Sequence, residues 1–152
     1  KVEATYPPSE KFKSTGRFVQ RDYSEKELSK IADLVQHPAE GSVYTAVSFY
    51  ALGGAIESVG KRDTAFFFRD ARYILGIQSV WTDDYVAKVN REWVQERFRS
   101  IKPITRGSFV NFPISNLPNY EREYFGGNAP ALNRINRKYD PFNVFTFPQG
   151  LK

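Results

Sequence analysis

With 152 residues and 17.5 kDa the chain is long enough for one domain with a continuous core, and 41% hydrophobic, 16% aromatic and 26% charged residues exclude a long disordered protein. The complete lack of cysteine removes disulfides, thiolate metal ligands and cysteine nucleophiles, and the lack of methionine marks a chain expected to have been processed or cut from something longer. The net charge of +5 raises nucleic acid as a partner, but the two signs interleave in Arg21–Glu27 and Arg91–Arg97 and only Arg134, Arg137 and Lys138 cluster, so no continuous phosphate track is expected.

Residues 1–13, with Pro7 and Pro8 among scattered charges, read as a lead-in segment. Ser24-Glu25-Lys26-Glu27 is a capping box, and Leu28, Ile31, Ala32 and Val35 follow at helical spacing, predicting a helix over 24–36 that stops before Pro38 and Gly41. His37, the single histidine, falls at its end, so neither a histidine-rich metal site nor a Ser-His-acid arrangement is expected. "SVYTAVSFY" (42–50) has the β-branched and aromatic alternation of a strand. Gly53-Gly54 precedes a second strand-like stretch, Ile56–Val59; paired glycines there permit either a close backbone approach or a hairpin turn. "TAFFF" (64–68) and "RYILGIQSVW" (72–81) continue the β pattern around Arg69-Asp70, read as a structural ion pair.

Thr82-Asp83-Asp84 predicts the cap of a helix to about residue 100, with Val86, Val89, Trp93 and Phe98 on its apolar face. "GSFVNFP" (107–113) reads as a short strand stopped by proline. Tyr120–Phe125 looks helical up to Gly126-Gly127, and Pro130 suits the first turn of a further helix carrying Leu132 and Ile135, closed by Tyr139-Asp140-Pro141. The order predicts an α+β fold, an antiparallel sheet backed by helices and followed by a C-terminal helical segment. No apolar run approaches the roughly 18–20 residues that cross a bilayer, and no signal-peptide pattern is present, so a soluble chain without a membrane partner or a targeting signal is expected. The residues alone show no phosphate-cradling glycine loop and no self-sufficient catalytic set.

Four stretches carry a resemblance. Tyr124-Phe125-Gly126-Gly127-Asn128, then Leu132 and Ile135, then Lys138-Tyr139-Asp140-Pro141, Asn143-Val144-Phe145 and Pro148-Gln149 follow a "YYG-x-N … K-x-x-YDP-x-NVF-x-x-PQ" pattern. Upstream, "ALGGAIESV" (51–59) is similar to "PLGGAI", "TAFFFRDARYIL" (64–75) to "TAFPHRDALY", and "GSFVNFPISNL" (107–117) to "YVNYPD-x-DL". These are motifs of the berberine bridge enzyme-like FAD-linked oxidoreductases, which the chain resembles in order over nearly its whole length.

The resemblance implies residues 1–118 as part of a substrate-binding domain and 119–152 as the family's C-terminal segment, with Asn143, Phe145 and Phe147 covering a surface of an N-terminal FAD domain that is not in this stretch. It also implies FAD as cofactor, a small-molecule alcohol, sugar or specialised metabolite as substrate, and O2 as final electron acceptor. In the family's "Y-x-N-Y" strand a tyrosine often acts as base or substrate hydrogen-bonder; Phe109 and Phe112 fill those positions here, and phenylalanine shapes a pocket but takes no proton. Asn111 matches the family asparagine as a candidate cofactor contact, as do Tyr124 and Asn128. Ser48 and Tyr50 occupy the family's substrate-facing strand, Tyr50 being the candidate phenolic base. Phe68 stands where the family has a histidine. A non-catalytic binding or structural module derived from this fold is the alternative.

Overall fold

The computed structural model describes residues 10–152. Four strands, Lys11–Val19 (β1), Ser42–Ala51 (β2), Tyr73–Trp81 (β3) and Arg106–Ser108 (β4), form one antiparallel sheet in the order β2-β3-β1-β4. Side chains alternate between its two faces. Val19, Leu75 and Ile77 face the helices Glu25–Asp33 (α1) and Ala87–Ile101 (α2) and join Ile31, Trp93, Val94 and Ile101 in the main core. Each fully buried aliphatic of this kind stabilises the fold by roughly 1.5–3 kcal/mol. Phe18 and Ile74 face the other way, into an aromatic cluster with Phe66, Phe67, Phe68 and Phe109.

The capping box forms as expected: the Glu27 amide donates to Ser24 Oγ (3.3 Å) and the Ser24 amide to Glu27 Oε2 (2.9 Å). Arg21 donates to the same carboxylate (2.6 and 3.0 Å) and, with the two Ser24 bonds, holds the Glu27 carboxyl down at about 2. The β2 strand and the helices Tyr120–Phe125 (α3) and Ala129–Tyr139 (α4), the latter with Pro130 in its first turn, also match the sequence reading.

Other expectations are corrected. Residues 11–13 are not lead-in but the start of β1, whose nine residues run in register against β3; residues 1–9 lie outside the described residues. The first helix ends at Asp33, three residues short of the expected boundary, and a turn follows. Ile56–Val59 and 64–68 are turns and loop, not strands. Their rings pack on the sheet instead of joining it: Phe68 stacks on Phe18 at 4.4 Å and lies under Gly107, whose φ of +66° and missing Cβ make room for that ring. Gly53-Gly54 opens this string of turns, with the Ile56 amide bonded back to the Gly53 carbonyl. Arg69 and Asp70 do not pair with each other; Arg69 donates to Phe66 O, Ile56 O and Thr64 Oγ1, and Asp70 pairs with Lys61 at 2.7 Å.

The helix at Asp83-Asp84 begins with a single 3-10 turn, Asp84–Val86, and Asp83 makes no side-chain cap bond; Asp84 pairs with Lys11 (2.6 Å). Val89 is exposed on α2, and Val94 and Ile101 take its place in the core. The expected strand 107–113 gives way to β4 at Arg106–Ser108, because a turn closes beyond it from Phe112 N–H to Phe109 C=O (3.0 Å).

Arg17 joins the sheet to the C-terminal segment. It is 2% exposed and donates to Thr105 Oγ1 (2.7 Å), Ser108 Oγ (2.9 Å) and Glu123 Oε2 on α3 (2.8 Å), with Phe98 beneath its guanidinium at 5.2 Å.

The closing stretch is fixed at both ends. Asp140 accepts from the Val144 and Phe145 amides (2.7 and 3.0 Å), and Gln149 accepts from the Tyr124 hydroxyl (2.8 Å) while donating to Ile114 O (3.0 Å). Tyr120 donates to Gly150 O (2.9 Å) and the Lys152 amide to Asn133 Oδ1 (3.1 Å). Between these anchors Phe142 (88% exposed), Val144, Phe145 (86%) and Phe147 face outward. No helix among the described residues is long and apolar enough to cross a membrane.

Candidate functional site

The face of the sheet opposite the helices carries an open concavity of about 730 Å³. Gly76 of β3 lies in its floor, and Gly16 of β1 stands directly opposite it in the sheet. A Cβ at Gly76 would lie 2.8 Å from Tyr50 Cε2, and one at Gly16 would lie 2.9 Å from Ile74 Cγ2 and 3.1 Å from Phe112 Cδ2. Two neighbouring strands thus give up their side chains at one level, and two aromatic rings settle against the bare backbone.

Tyr50 and Phe112 stand 5.7 Å apart between centroids, tilted by 53°, as the side walls of this depression. Phe112 is fixed from behind by Phe109, edge-to-face at 5.2 Å, and Phe109 in turn meets Phe18 at 5.9 Å. Of the predicted site residues, Ser48, Tyr50, Asn111 and Phe112 therefore come together on one cavity. Phe109 lies one layer behind it as a support. Phe68, at the family's histidine position, is a core residue of the aromatic cluster.

Tyr124 and Asn128 lie elsewhere, and their polar atoms serve the chain itself. Tyr124 is packed with Phe98, Ile114 and Leu117; burial pushes its phenol above the ordinary range, and the bonds with the Ile114 amide and Gln149 partly offset that. Asn128 donates to the carbonyls of Lys61 (2.6 Å) and Thr64 (3.0 Å), tying down the loop that delivers Phe66–Phe68.

The cavity also contains residues absent from the sequence reading. Phe12 and Ser14 come from β1, and Gln78 from β3, its amide donating to Tyr44 Oη at 3.3 Å. Lys13 lies at the rim, bonded to Ser115 Oγ (2.9 Å); burial, then the Arg91 charge, holds its ammonium below the usual lysine range. The available signal was the alternation in "KFKSTGRFV", which puts Phe12, Ser14 and Gly16 on one face. Chemically the site offers flat apolar walls, hydroxyl and amide hydrogen-bonding groups in Ser48, Gln78 and Asn111, and one phenol, Tyr50.

Residues 108–152 match the family described as "Berberine and berberine like". An uncharacterised FAD-linked oxidoreductase of Bacillus subtilis (strain 168), YgaK, is 33% identical over 93% of this chain and 31% of its own length. The aclacinomycin-N/aclacinomycin-A oxidase of Streptomyces galilaeus is 29% identical over 88% of this chain and 28% of its own length. Among solved structures, a berberine bridge enzyme-like protein of Arabidopsis thaliana (number 28) superposes with a TM-score of 0.83 at 20% identity, covering 94% of this chain and 34% of that one. The chain spans about a third of the length of the curated relatives it matches.

Proposed function

Because the chain belongs to the berberine bridge enzyme-like FAD-linked oxidoreductases, a family of enzymes, we propose that it forms the substrate-facing side of an oxidase site. The substrate is an alcohol, a sugar or a specialised metabolite, and residues 119–152 pack on an FAD domain of the same protein. The observation that carries this reading is the convergence of Ser48, Tyr50, Asn111 and Phe112 on one glycine-floored cavity.

The residues present fit one face of a flat ring system. Tyr50 and Phe112, seated where a Cβ at Gly76 or Gly16 would collide with them, line a shallow apolar trough. Asn111 is the side chain that would hydrogen-bond at the ring's edge. When bound, FAD supplies the two-electron acceptor for a substrate hydride, with O2 as the later acceptor. The chain's own part is to seat the substrate carbon at that face, to exclude water with Phe12 and Phe112, and to hold the reacting hydroxyl with Ser48 and Gln78. Tyr50 takes the hydroxyl proton on Oη as the phenolate and so becomes the neutral phenol.

The test is expression of the complete protein that carries this chain. We expect bound flavin with its yellow absorbance, bleached under anaerobic conditions by at least one sugar or alcohol and restored by air. Protein without bound flavin overturns the reading. Flavin that is bound but reduced by no substrate in such a panel favours the second reading, a binding module, for which the observation is that Phe109 and Phe112 hold positions where the family uses tyrosine.

A further inference from the structure

At the end of the cavity away from Tyr50, the start of β1 presents a second set of side chains. Glu10, just before the strand, lines the cavity together with Phe12 and Ser14, at alternate positions that share one face of the chain. The Glu10 carboxylate is not used by the fold. Its Oε2 is enclosed, and no hydrogen-bond donor meets it. An enclosed carboxylate oxygen without a donor has given up water and received nothing in exchange, which is the state of a group kept for a ligand.

Cations stand close by in the sequence, but they are committed elsewhere. Lys11 pairs with Asp84 at 2.6 Å, and Lys13 donates to Ser115 Oγ at 2.9 Å. Among the described residues no lysine or arginine lies within ion-pair distance of Glu10. Two positions along the same face, the Phe12 ring is 63% exposed. A carboxylate oxygen in want of a donor and an open aromatic face are the two halves of an ammonium site: the oxygen accepts a charge-assisted N–H bond, and the ring meets the positive charge with its π face.

The spacing says where on a ligand that charge belongs. Glu10 and Gly16, which stands opposite Gly76, are six positions apart, roughly 20 Å of extended chain at about 3.3 Å per residue. A six-membered ring spans roughly 5 Å at bond lengths of about 1.5 Å. Allowing for the reach of the glutamate side chain, the charge sits about two rings beyond the ring held at Gly76 and Tyr50.

On the basis of the oxidase reading of this cavity, we propose that its Glu10 end is an ammonium subsite and that the substrate is an amino-bearing oligosaccharide. Glu10 accepts the N–H of a protonated amine on a ring remote from the reacting hydroxyl, and the Phe12 ring lies against the charge.

Calorimetric binding to the complete protein tests it, with three trisaccharides that differ in the group at carbon 2: cellotriose, the β-1,4-linked glucosamine trimer and its N-acetylated form, at a pH where the free amines are protonated. The glucosamine trimer is expected to bind about 10-fold or more tightly than the two neutral ones. Glu10→Gln, close to isosteric, is expected to erase that advantage while leaving cellotriose affinity and Tm unchanged. Equal affinity for the three, no binding of the glucosamine trimer, or an advantage that survives Glu10→Gln overturns the proposal. A lysine or arginine brought to Glu10 by another part of the polypeptide gives the first of these results and overturns it equally. Binding is read without turnover, and flavin absorbance of the same sample reports separately on the oxidase reading.

Discussion

Replacing Arg17 by alanine should unfold this region more readily than any change at the cavity. The guanidinium is 2% exposed, and three partners depend on it: Glu123, Thr105 Oγ1 and Ser108 Oγ, at 2.8, 2.7 and 2.9 Å. Its loss leaves Glu123, whose side chain is 19% exposed, with Lys102 at 3.7 Å as its remaining cation. Breaking a buried pair by removing one member costs about 3–5 kcal/mol. For a cooperative unit of this size that is a fall in Tm of roughly 6–20 °C. Thermal and urea unfolding followed by tryptophan fluorescence measure it. The sharper arm is the double replacement Arg17→Met with Glu123→Leu, which removes both charges and keeps apolar volume; it should recover most of the loss, since the penalty arises from an uncompensated charge. If the double variant is as unstable as the single one, or if Arg17→Ala costs under about 1 kcal/mol, the value of a surface ion pair, the reasoning fails.

Glu27→Gln should flatten the acid side of the stability profile. The folded carboxyl sits near 2 against an ordinary 4.5, so its contribution is full above 4.5 and disappears as pH falls towards 2, and the urea midpoint of the parent protein should drop across that window more than that of the variant. Tyr23, which donates to Ile104 O at 3.0 Å, is pushed up to about 12 chiefly by burial; the folded state favours the neutral phenol, so stability should be lost as pH rises from about 10 to 12, and ultraviolet titration should show a late-ionising component that Tyr23→Phe reduces by one tyrosine. Gly76→Ala in the complete protein should push the Tyr50 ring outward by about 1 Å to restore ordinary contact. A stability loss of ~1 kcal/mol is expected, with a fall in kcat/KM of up to about 100-fold; an unchanged kcat/KM argues against the trough as the reacting surface. Tyr50→Phe should lower kcat by about 10²–10⁴-fold with little change in Tm if the Tyr50 phenolate takes the proton.

The capping box at Ser24 and Glu27, the strand at 42–51 and the helices around Pro130 were legible because their determinants are local. β1 was not, because Lys11 and Lys13 fall in a stretch of scattered charges that read as a lead-in, and Arg17 is buried for the sake of a carboxylate 106 positions away, which no window of sequence displays. The loop 52–72 was misread because Phe66–Phe68 have strand composition while their rings fill a cluster under the sheet. At the site, Ser48, Tyr50, Asn111 and Phe112 were reached through resemblance. Gly16, Gly76 and Gln78 depend on the register between β1, β2 and β3, and register is a property of the assembled sheet.

The stretch between Tyr139 and Gln149 has a consequence for how association at this surface would proceed. Its apolar residues hang as an arch between two abutments, the Asp140 carboxylate at one foot and the Gln149 amide, clasped by Tyr124 and Ile114, at the other. A loose tail carrying the same side chains would surrender its conformational freedom on docking, at roughly 1–2 kcal/mol of backbone entropy per residue. The arch has surrendered it beforehand, so Phe142, Val144, Phe145 and Phe147 meet another surface as a preformed relief, and that burial is not spent on ordering the chain. Gln149, half-buried at the foot, thereby becomes the residue on which the readiness of that face depends.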